Sequence, residues 1–245
     1  MLACWSDFIF GSPVVKTAVS ANNGNTWSTA TVVSQSGRLC SVGGNNTQAA
    51  VTWYDDGSKT LFWAISSDGT RWTPYILDSV PTLVSGSTTD KVLAGPYALV
   101  MPAGTGLRAV YQIRDSGISK VFVRDLVVGS QRLPIGGSEQ VEKFLPGAGT
   151  FCGQFVGSYQ VTSDGITFRY AGWYTTASSS PLFVSGSDLN GKNGFPSGYN
   201  DVSGKINDYT GADCSKDGFG WLAWTDLRSG VPGQPQIWAT RIPLE

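Results

Sequence analysis

Residues 20–27 of the chain read Ser20-Ala21-Asn22-Asn23-Gly24-Asn25-Thr26-Trp27. The Ser20 and Asn22 side chains can hydrogen-bond to the backbone amides of a turn, and Gly24 permits a positive φ angle. Thr26 suits the start of a strand, and Trp27 offers a large apolar surface. The octapeptide therefore predicts a tight turn between two β-strands, followed by a tryptophan that packs between neighbouring sheets.

A degenerate copy of this turn occurs at Ser66-Ser67-Asp68-Gly69-Thr70-Arg71-Trp72, with Asp68 in place of the asparagine and with Gly69 and Trp72 again following. Residues 163–168 are a third candidate. The first two copies separate the third and fourth strands of successive units. The third copy falls between the first two strands of its unit, which leaves open that this unit is out of phase by two strands.

Strands of alternating polarity that end near an aromatic residue recur along the chain. These aromatic positions lie about 48 to 62 residues apart, close to the length of one four-stranded propeller blade with variable loops. They are Trp5, Trp53, Tyr111, Trp173 and Trp224. Each is assigned to the second strand, B, of a unit with strands A to D. The first unit then lacks strand A, and the fifth lacks strand D.

The remaining strands of each unit follow from the same alternation. A strands are expected at residues 39–42, 97–101, 151–159 and 209–213, and C strands at residues 14–19, 60–65, 120–126, 182–185 and 236–241. The pattern predicts an all-β fold, a β-propeller of about five four-stranded antiparallel blades with incomplete terminal blades, in one domain over residues 1–245. The incomplete blades leave three explanations open: a misassigned strand, a short blade, or a piece of a larger ring.

Composition favours the same fold class, because 31 Gly and 12% aromatic residues suit short strands and tight turns. With 17 basic and 18 acidic residues the net charge is −1, so nucleic acid is not an expected partner. The apolar runs are strand-sized, which argues against a membrane span. The absence of histidine excludes Ser-His-Asp and Cys-His nucleophile systems and His-ligated zinc.

The four cysteines have no metal-binding or redox spacing, and they are expected as buried apolar residues or in one or two disulfides. They are Cys4, Cys40, Cys152 and Cys214. Asn45-Asn46-Thr47 forms a single N-glycosylation sequon. Disulfides and a sequon favour a secreted or extracellular protein, with a signal peptide absent or already removed.

The two turn sequences resemble the Asp-box, or bacterial neuraminidase repeat, of the sialidase-like β-propeller superfamily. The last unit, with DYTG at residues 208–211 and AWTDLRSG at residues 223–230, also looks like a blade of that superfamily. The resemblance implies that the Asp-box is structural and lies opposite the ligand-binding face. Ligands would then bind near the axis, on the face formed by the D-to-A and B-to-C loops.

That face would gather carboxylates, arginines and an aromatic residue, a set that suits hydroxyl-rich ligands such as sugars. The candidate ligand-binding residues are Asp7, Asp55, Asp56, Arg114, Asp115, Asp208, Tyr209, Asp226 and Arg228. Two such carboxylates close together would also suit calcium, and no other metal or cofactor is expected. Each Asp has a structural alternative, because an Asp at the end of a strand can cap the following turn.

The resemblance does not extend to sialidase chemistry. The Phe-Arg-Ile-Pro signature of sialidases has no match, and the only internal glutamates, Glu139 and Glu142, share one predicted D-to-A loop. A glycan-binding, lectin-like propeller is therefore the preferred function. Two alternatives stay open: a carboxylate-dependent glycoside hydrolase or lyase of the sialidase-like or five-bladed type, and a structural or protein-interaction propeller.

Overall fold

The computed structural model describes residues 1–9, 12–79, 98–103, 106–115, 118–134, 142–149, 154–162, 169–176, 210–214, 219–226 and 236–243. Every regular element in these ranges is a β-strand. None of the described residues forms a helix long and apolar enough to cross a membrane. Contacts between residues divide the chain into two compact units. The first unit holds the described residues up to 113 together with 123–132, and the second holds the others.

The first unit begins with a three-stranded sheet. Its strands are β1 (Leu2–Ile9), β2 (Ser12–Val19) and β3 (Thr31–Ser34), adjacent in that order. In the antiparallel β1–β2 hairpin Leu2 lies opposite Val19. Val14 and Val15 are both buried although they point to opposite faces, so this sheet is covered on both sides.

The second and third sheets have four strands each. The second contains β4 (Arg38–Gly44), β5 (Ala49–Asp55), β6 (Thr60–Ser66) and β7 (Thr73–Ser79), adjacent in chain order. The third contains β8 (Ala98–Ala103), β9 (Gly106–Asp115), β10 (Ile118–Asp125) and β11 (Leu133–Pro134), again in chain order. Residues 50–54 of β5 are all buried, as expected for a central strand with other sheets on both faces.

The first three sheets pack consecutively through their first strands, since β4 lies against both β1 and β8. Hydrogen bonds between side chains and neighbouring sheets add to this packing. Thr52 Oγ1 donates to Ala98 O at 2.7 Å, and Trp72 Nε1 donates to Thr17 Oγ1 at 3.1 Å. The apolar cluster between the first two sheets contains Val15, Val51, Trp53 and Ala64. These contacts fix the orientation of the first two sheets and of the loops at their ends.

The second unit contains two three-stranded antiparallel sheets. One is formed by β12 (Glu142–Gly149), β13 (Gln154–Thr162) and β14 (Arg169–Thr176), adjacent in that order. The other is formed by β15 (Thr210–Cys214), β16 (Phe219–Asp226) and β17 (Gln236–Pro243). β15 lies against both β12 and β13, so these two sheets pack against each other.

The all-β prediction with antiparallel sheets is confirmed, and most predicted strands coincide with observed ones. The expected C strands at 14–19, 60–65, 120–126 and 236–241 correspond to β2, β6, β10 and β17, and the expected A strands at 39–42, 97–101 and 209–213 correspond to β4, β8 and β15. The expected strand at 182–185 lies outside the described residues. Five sheets form within the described ranges, two with four strands and three with three.

The prediction for the fourth unit was wrong in its strand order. The expected A strand at 151–159 corresponds to β13, which is the middle strand of its sheet, and Trp173 lies on the third strand instead of the second. Glu142 begins β12 and is not a loop residue. β12 was missed because it contains Pro146 and two glycines, which weaken a strand signal, and its pairing with β13 is irregular after Phe144. Alternation identifies a strand but not its neighbours.

Candidate functional site

The predicted aspartates Asp7, Asp55, Asp115 and Asp226 lie at or near the ends of β1, β5, β9 and β16. Each of these strands is hydrogen-bonded to the strand that follows it, so each Asp stands close to a hairpin turn. The side chains of Asp7, Asp55 and Asp56 are described, whereas for Arg114, Asp115 and Asp226 the structure gives the strand position alone. The predicted site residues Asp208, Tyr209 and Arg228 lie outside the described residues.

Asp7 and Asp55 lie at the same end of the first two sheets. A cavity of about 420 Å³ is lined by Leu2 and Val19 of the first sheet and by residues 66–69 of the second. Leu2 and Val19 form the β1–β2 pair farthest from the turn that follows Asp7, and Ser66 lies opposite Ala49, at the other end of β5 from Asp55. Both aspartates therefore face away from this cavity, at the opposite end of their sheets.

Asp55 caps the turn between β5 and β6. Its carboxylate accepts hydrogen bonds from the Gly57 N–H at 2.8 Å, the Ser58 hydroxyl at 3.0 Å and the Ser36 hydroxyl at 3.2 Å. Partial burial alone would raise the pKa of Asp55, but these hydrogen bonds outweigh it and the pKa is lowered. Asp55 thus caps the following turn, which was the structural alternative to ligand binding. Its carboxylate stays ionised at neutral pH.

Asp56 forms an ion pair with Arg38, at the start of β4. Arg38 Nη2 donates to Asp56 Oδ1 at 2.9 Å, and Arg38 Nε lies 2.5 Å from Oδ2. The two side chains are 38% and 41% exposed. The Arg38 guanidinium also lies 5.9 Å from the centre of the Tyr54 ring. We call the group Arg38, Tyr54, Asp55 and Asp56 the β5–β6 corner.

Tyr54 forms the buried floor of the β5–β6 corner. Its ring is fully buried, and its hydroxyl has no hydrogen-bond partner within the described part of the chain. Burial raises the pKa of Tyr54, and the negative charges of Asp56 and Asp55 raise it further, against the opposing effect of Arg38. Tyr54 is therefore a neutral phenol at physiological pH and does not supply a phenolate nucleophile.

Asp78 forms a second polar group at this end of the second sheet. It lies on β7 opposite Leu61 of β6. Leu61 follows Thr60, which pairs with Asp55, so Asp78 lies near the same end of the sheet as Asp55. The buried Tyr111 hydroxyl donates to Asp78 Oδ2 at 3.0 Å, and Arg132 Nη1 donates to the same oxygen at 2.8 Å. Burial, followed by the charge of Asp78, raises the pKa of Tyr111. Arg132 remains partly exposed.

Asp7 is paired in the first sheet, where Lys16 Nζ of β2 donates to its Oδ2 at 2.7 Å. Four charged partners were not predicted from the sequence: Lys16, Arg38, Asp78 and Arg132. Arg38 could have been found, because it precedes an expected A strand and the D-to-A loops were assigned to the ligand-binding face. Lys16, Asp78 and Arg132 carry no such signal, since they approach their partners only after strands pair and sheets pack.

The turn at residues 20–27 is held by its own side chains. The Ser20 hydroxyl accepts the Gly24 N–H at 2.8 Å, and Asn22 Oδ1 accepts the Thr26 N–H at 2.8 Å. Trp27 is 44% exposed, so the predicted burial of this tryptophan between sheets was wrong. Its ring lies instead over its own turn, 3.9 Å from the point that a Cβ on Gly24 would occupy.

The turn at residues 66–72 repeats the arrangement. The Ser66 hydroxyl accepts the Gly69 N–H at 2.8 Å, and Asp68 Oδ1 accepts the N–H groups of Thr70 and Arg71 at 2.8 and 2.9 Å. These backbone hydrogen bonds lower the pKa of Asp68. The third candidate turn, residues 163–168, lies outside the described residues. In the part of the chain that the structure describes, no three His, Cys, Asp or Glu side chains cluster as metal ligands would.

No protein-family model and no curated protein matches the sequence significantly. Solved structures do show similarity. The NanB sialidase from Streptococcus pneumoniae aligns with a TM-score of 0.48 and 13% identity over 86% of this chain and 32% of that chain. A thermostable family-43 glycoside hydrolase aligns with a TM-score of 0.40 and 9% identity over 77% of this chain and 63% of that chain.

An α-L-arabinofuranosidase from Lactobacillus brevis gives a TM-score of 0.39 and 10% identity over 97% of this chain and 86% of that chain. The chain thus spans about a third of the length of the sialidase and under two thirds of the family-43 hydrolase. TM-scores below 0.5 do not establish a shared fold.

Proposed function

We propose that the protein is a glycan-binding, lectin-like β-propeller of the sialidase-like type, formed as one domain over residues 1–245. Three features support the fold part of this proposal: sheets of three or four antiparallel strands, packing of consecutive sheets through their first strands, and two turns with matching side-chain hydrogen bonds. These features are typical of propellers with Asp-box repeats.

The partly exposed Arg38–Asp56 ion pair is the observation that carries the proposed function. It offers a planar guanidinium and a carboxylate within 2.9 Å of each other, and such groups form paired hydrogen bonds with neighbouring sugar hydroxyls. Asp78 and Arg132 add a second charged pair at the same end of the second sheet. Each ion pair holds its two side chains in one geometry, so binding would cost little side-chain ordering.

The hydrogen bonds and ion pairs of the carboxylates favour binding over hydrolysis. A glycosidase needs one carboxyl group that stays protonated near neutral pH, with a raised pKa, facing a second carboxylate. The hydrogen bonds that lower the pKa of Asp55 make it a poor general acid, and Asp56 is held in an ion pair with Arg38. The three predicted carboxylates whose side chains are described, Asp7, Asp55 and Asp56, are held in a turn or in ion pairs.

We also propose that the protein is exported. The sequon gives this proposal little support, because Asn45 already has a structural role. Its Oδ1 accepts the N–H groups of Thr47 and Gln48 at 3.0 Å, and its Nδ2 donates to Gly106 O at 3.1 Å. The cysteine pattern is the better support, since disulfides persist in oxidising compartments.

A glycan array followed by retention on the best immobilised glycan tests the function. Asp56→Asn removes the charge of the ion pair, and we expect about tenfold or greater loss of affinity with an unchanged melting temperature. Asp68→Asn is the matched control, because it removes the same charge at the opposite end of the same sheet, where the first turn already uses Asn22. Equal affinity of wild type and Asp56→Asn would place the site elsewhere. Turnover of chromogenic glycosides that Asp56→Asn or Asp55→Asn abolishes would make the protein a hydrolase.

A further inference from the structure

Two of the four cysteines meet in the core between the first two sheets. Cys4 lies on β1 and Cys40 on β4, the strands through which these sheets pack. Both are free, half-buried and in contact with the apolar cluster that includes Val51 and Trp53. Hydrogen bonding with Cys40 raises the pKa of Cys4, and hydrogen bonding with Cys4 lowers the pKa of Cys40. The two cysteines therefore lie on packed strands of neighbouring sheets and contact the same core cluster.

The backbone of β4 is irregular at this point. The β4–β5 register shifts between Arg38 and Ser41, and Leu39 has a positive φ of 56°, which is rare for a branched residue. A bulge of this kind redirects side chains that regular alternation would place elsewhere. Cys40 lies within it, next to β1. The local distortion of β4 thus lies at Cys40 itself.

We propose that Cys4 and Cys40 form a disulfide bond that cross-links the first sheet to the second. Both thiols contact the same core cluster from two packed strands, so a bond between them joins backbone segments that already lie next to each other. A small-molecule disulfide such as oxidised glutathione is the oxidant. The Cys40 thiolate attacks one glutathione sulfur and releases the first glutathione thiolate, and the deprotonated Cys4 then attacks Cys40 sulfur and releases the second. One protein disulfide forms, and one oxidised glutathione becomes two reduced molecules.

The cross-link should stabilise the fold measurably. It joins residues 36 positions apart, from 4 to 40, and so restricts the unfolded chain. For a chain of this length we expect reduction to lower the melting temperature by about 5 to 10 °C. The same treatment should leave Cys4→Ser/Cys40→Ser unchanged, since that variant has no such bond to lose.

Peptide mapping of the full chain tests the pairing directly. The protein is equilibrated with oxidised and reduced glutathione, its free thiols are alkylated under denaturing conditions, and non-reduced digests are analysed by mass spectrometry. We expect one linked peptide pair that contains Cys4 and Cys40. Free thiols at both positions at equilibrium would overturn the proposal, as would their pairing with Cys152 or Cys214.

A Cys152→Ser/Cys214→Ser variant provides the second arm, because it retains only the proposed pair. It should still form the Cys4–Cys40 bond, at the same glutathione ratio as the wild type. Loss of oxidation in this variant, with the fold intact by circular dichroism, would contradict the assignment. The comparison of wild type with and without reductant needs no substitution, so the test stands even where a cysteine variant fails to fold.

Discussion

The turns at residues 20–27 and 66–72 have matching hydrogen bonds but different surroundings. In each, a serine hydroxyl accepts a glycine N–H at 2.8 Å, and a side-chain oxygen of Asn22 or Asp68 accepts a threonine N–H at 2.8 Å. Trp72 then reaches β2 of the preceding sheet, whereas Trp27 is 44% exposed. The turn is therefore a local structure, whereas burial of the tryptophan depends on a neighbouring sheet.

The largest expected difference between the turns lies in their tryptophans. Trp72→Ala should lower the free energy of unfolding by about 3 kcal/mol, because it removes packing against the first sheet and the hydrogen bond to Thr17. Trp27→Ala should cost about 1 kcal/mol or less, as expected at an exposed position. Urea denaturation of both variants measures the difference. Equal losses of unfolding free energy in the two variants would mean that Trp27 is covered in solution. Trp72→Phe keeps most of the packing, so its loss of unfolding free energy measures the contribution of the hydrogen bond to Thr17.

A smaller difference is expected at the turn glycines. Gly24 and Gly69 have positive φ angles of 89° and 74°, so alanine at either site costs about 1 to 2 kcal/mol. At Gly69 a Cβ would also lie 2.6 Å from Val19 Cγ2, whereas at Gly24 the nearest atom is 3.6 Å away. Gly69→Ala should therefore destabilise the protein more than Gly24→Ala, by about 1 kcal/mol. Val19→Ala in the Gly69→Ala background should restore part of the loss, and an unchanged loss would exclude the clash.

The smallest expected effect is on the loss of folding stability at low pH. The N–H groups of Arg71 and Thr70 lower the pKa of Asp68, so its ionised form stabilises the folded state above the unfolded pKa of about 3.9. This contribution is lost as the pH falls through the lower folded pKa. Asp68→Asn should therefore lose less stability than wild type between pH 5 and pH 2, and Asn22→Asp should lose more. Urea midpoints across this pH range measure both, and parallel curves for all three proteins would refute the assignment.

The sequence alone was sufficient for features that depend on neighbouring residues. The residues of the first two turns, the hairpins with an Asp near the end of their first strand and most strand positions follow from side-chain hydrogen bonding, glycine conformation and period-two alternation. The turn-capping role of Asp55 was also among the predicted alternatives, because an Asp at a strand end has few other local partners.

The site itself was only partly predictable. Asp7, Asp55 and Asp56 were named in advance, but their partners Lys16 and Arg38 were not. Those partners are fixed by strand register, and a shift of one residue would turn them to the other face of the sheet. Alternation does not specify which residues of two strands lie opposite each other.

The tertiary structure decided which groups meet across sheets. Asp78 approaches Tyr111, Trp72 approaches Thr17, and Cys4 approaches Cys40, in each case over more than 30 residues of sequence. It also decided that Trp27 stays exposed and that β13 is a central strand. Hydrogen bonds within a turn form between residues a few positions apart, so they can be inferred from the order of the residues. Contacts between sheets depend on packing and on the bulge in β4, which no local pattern in this chain encodes.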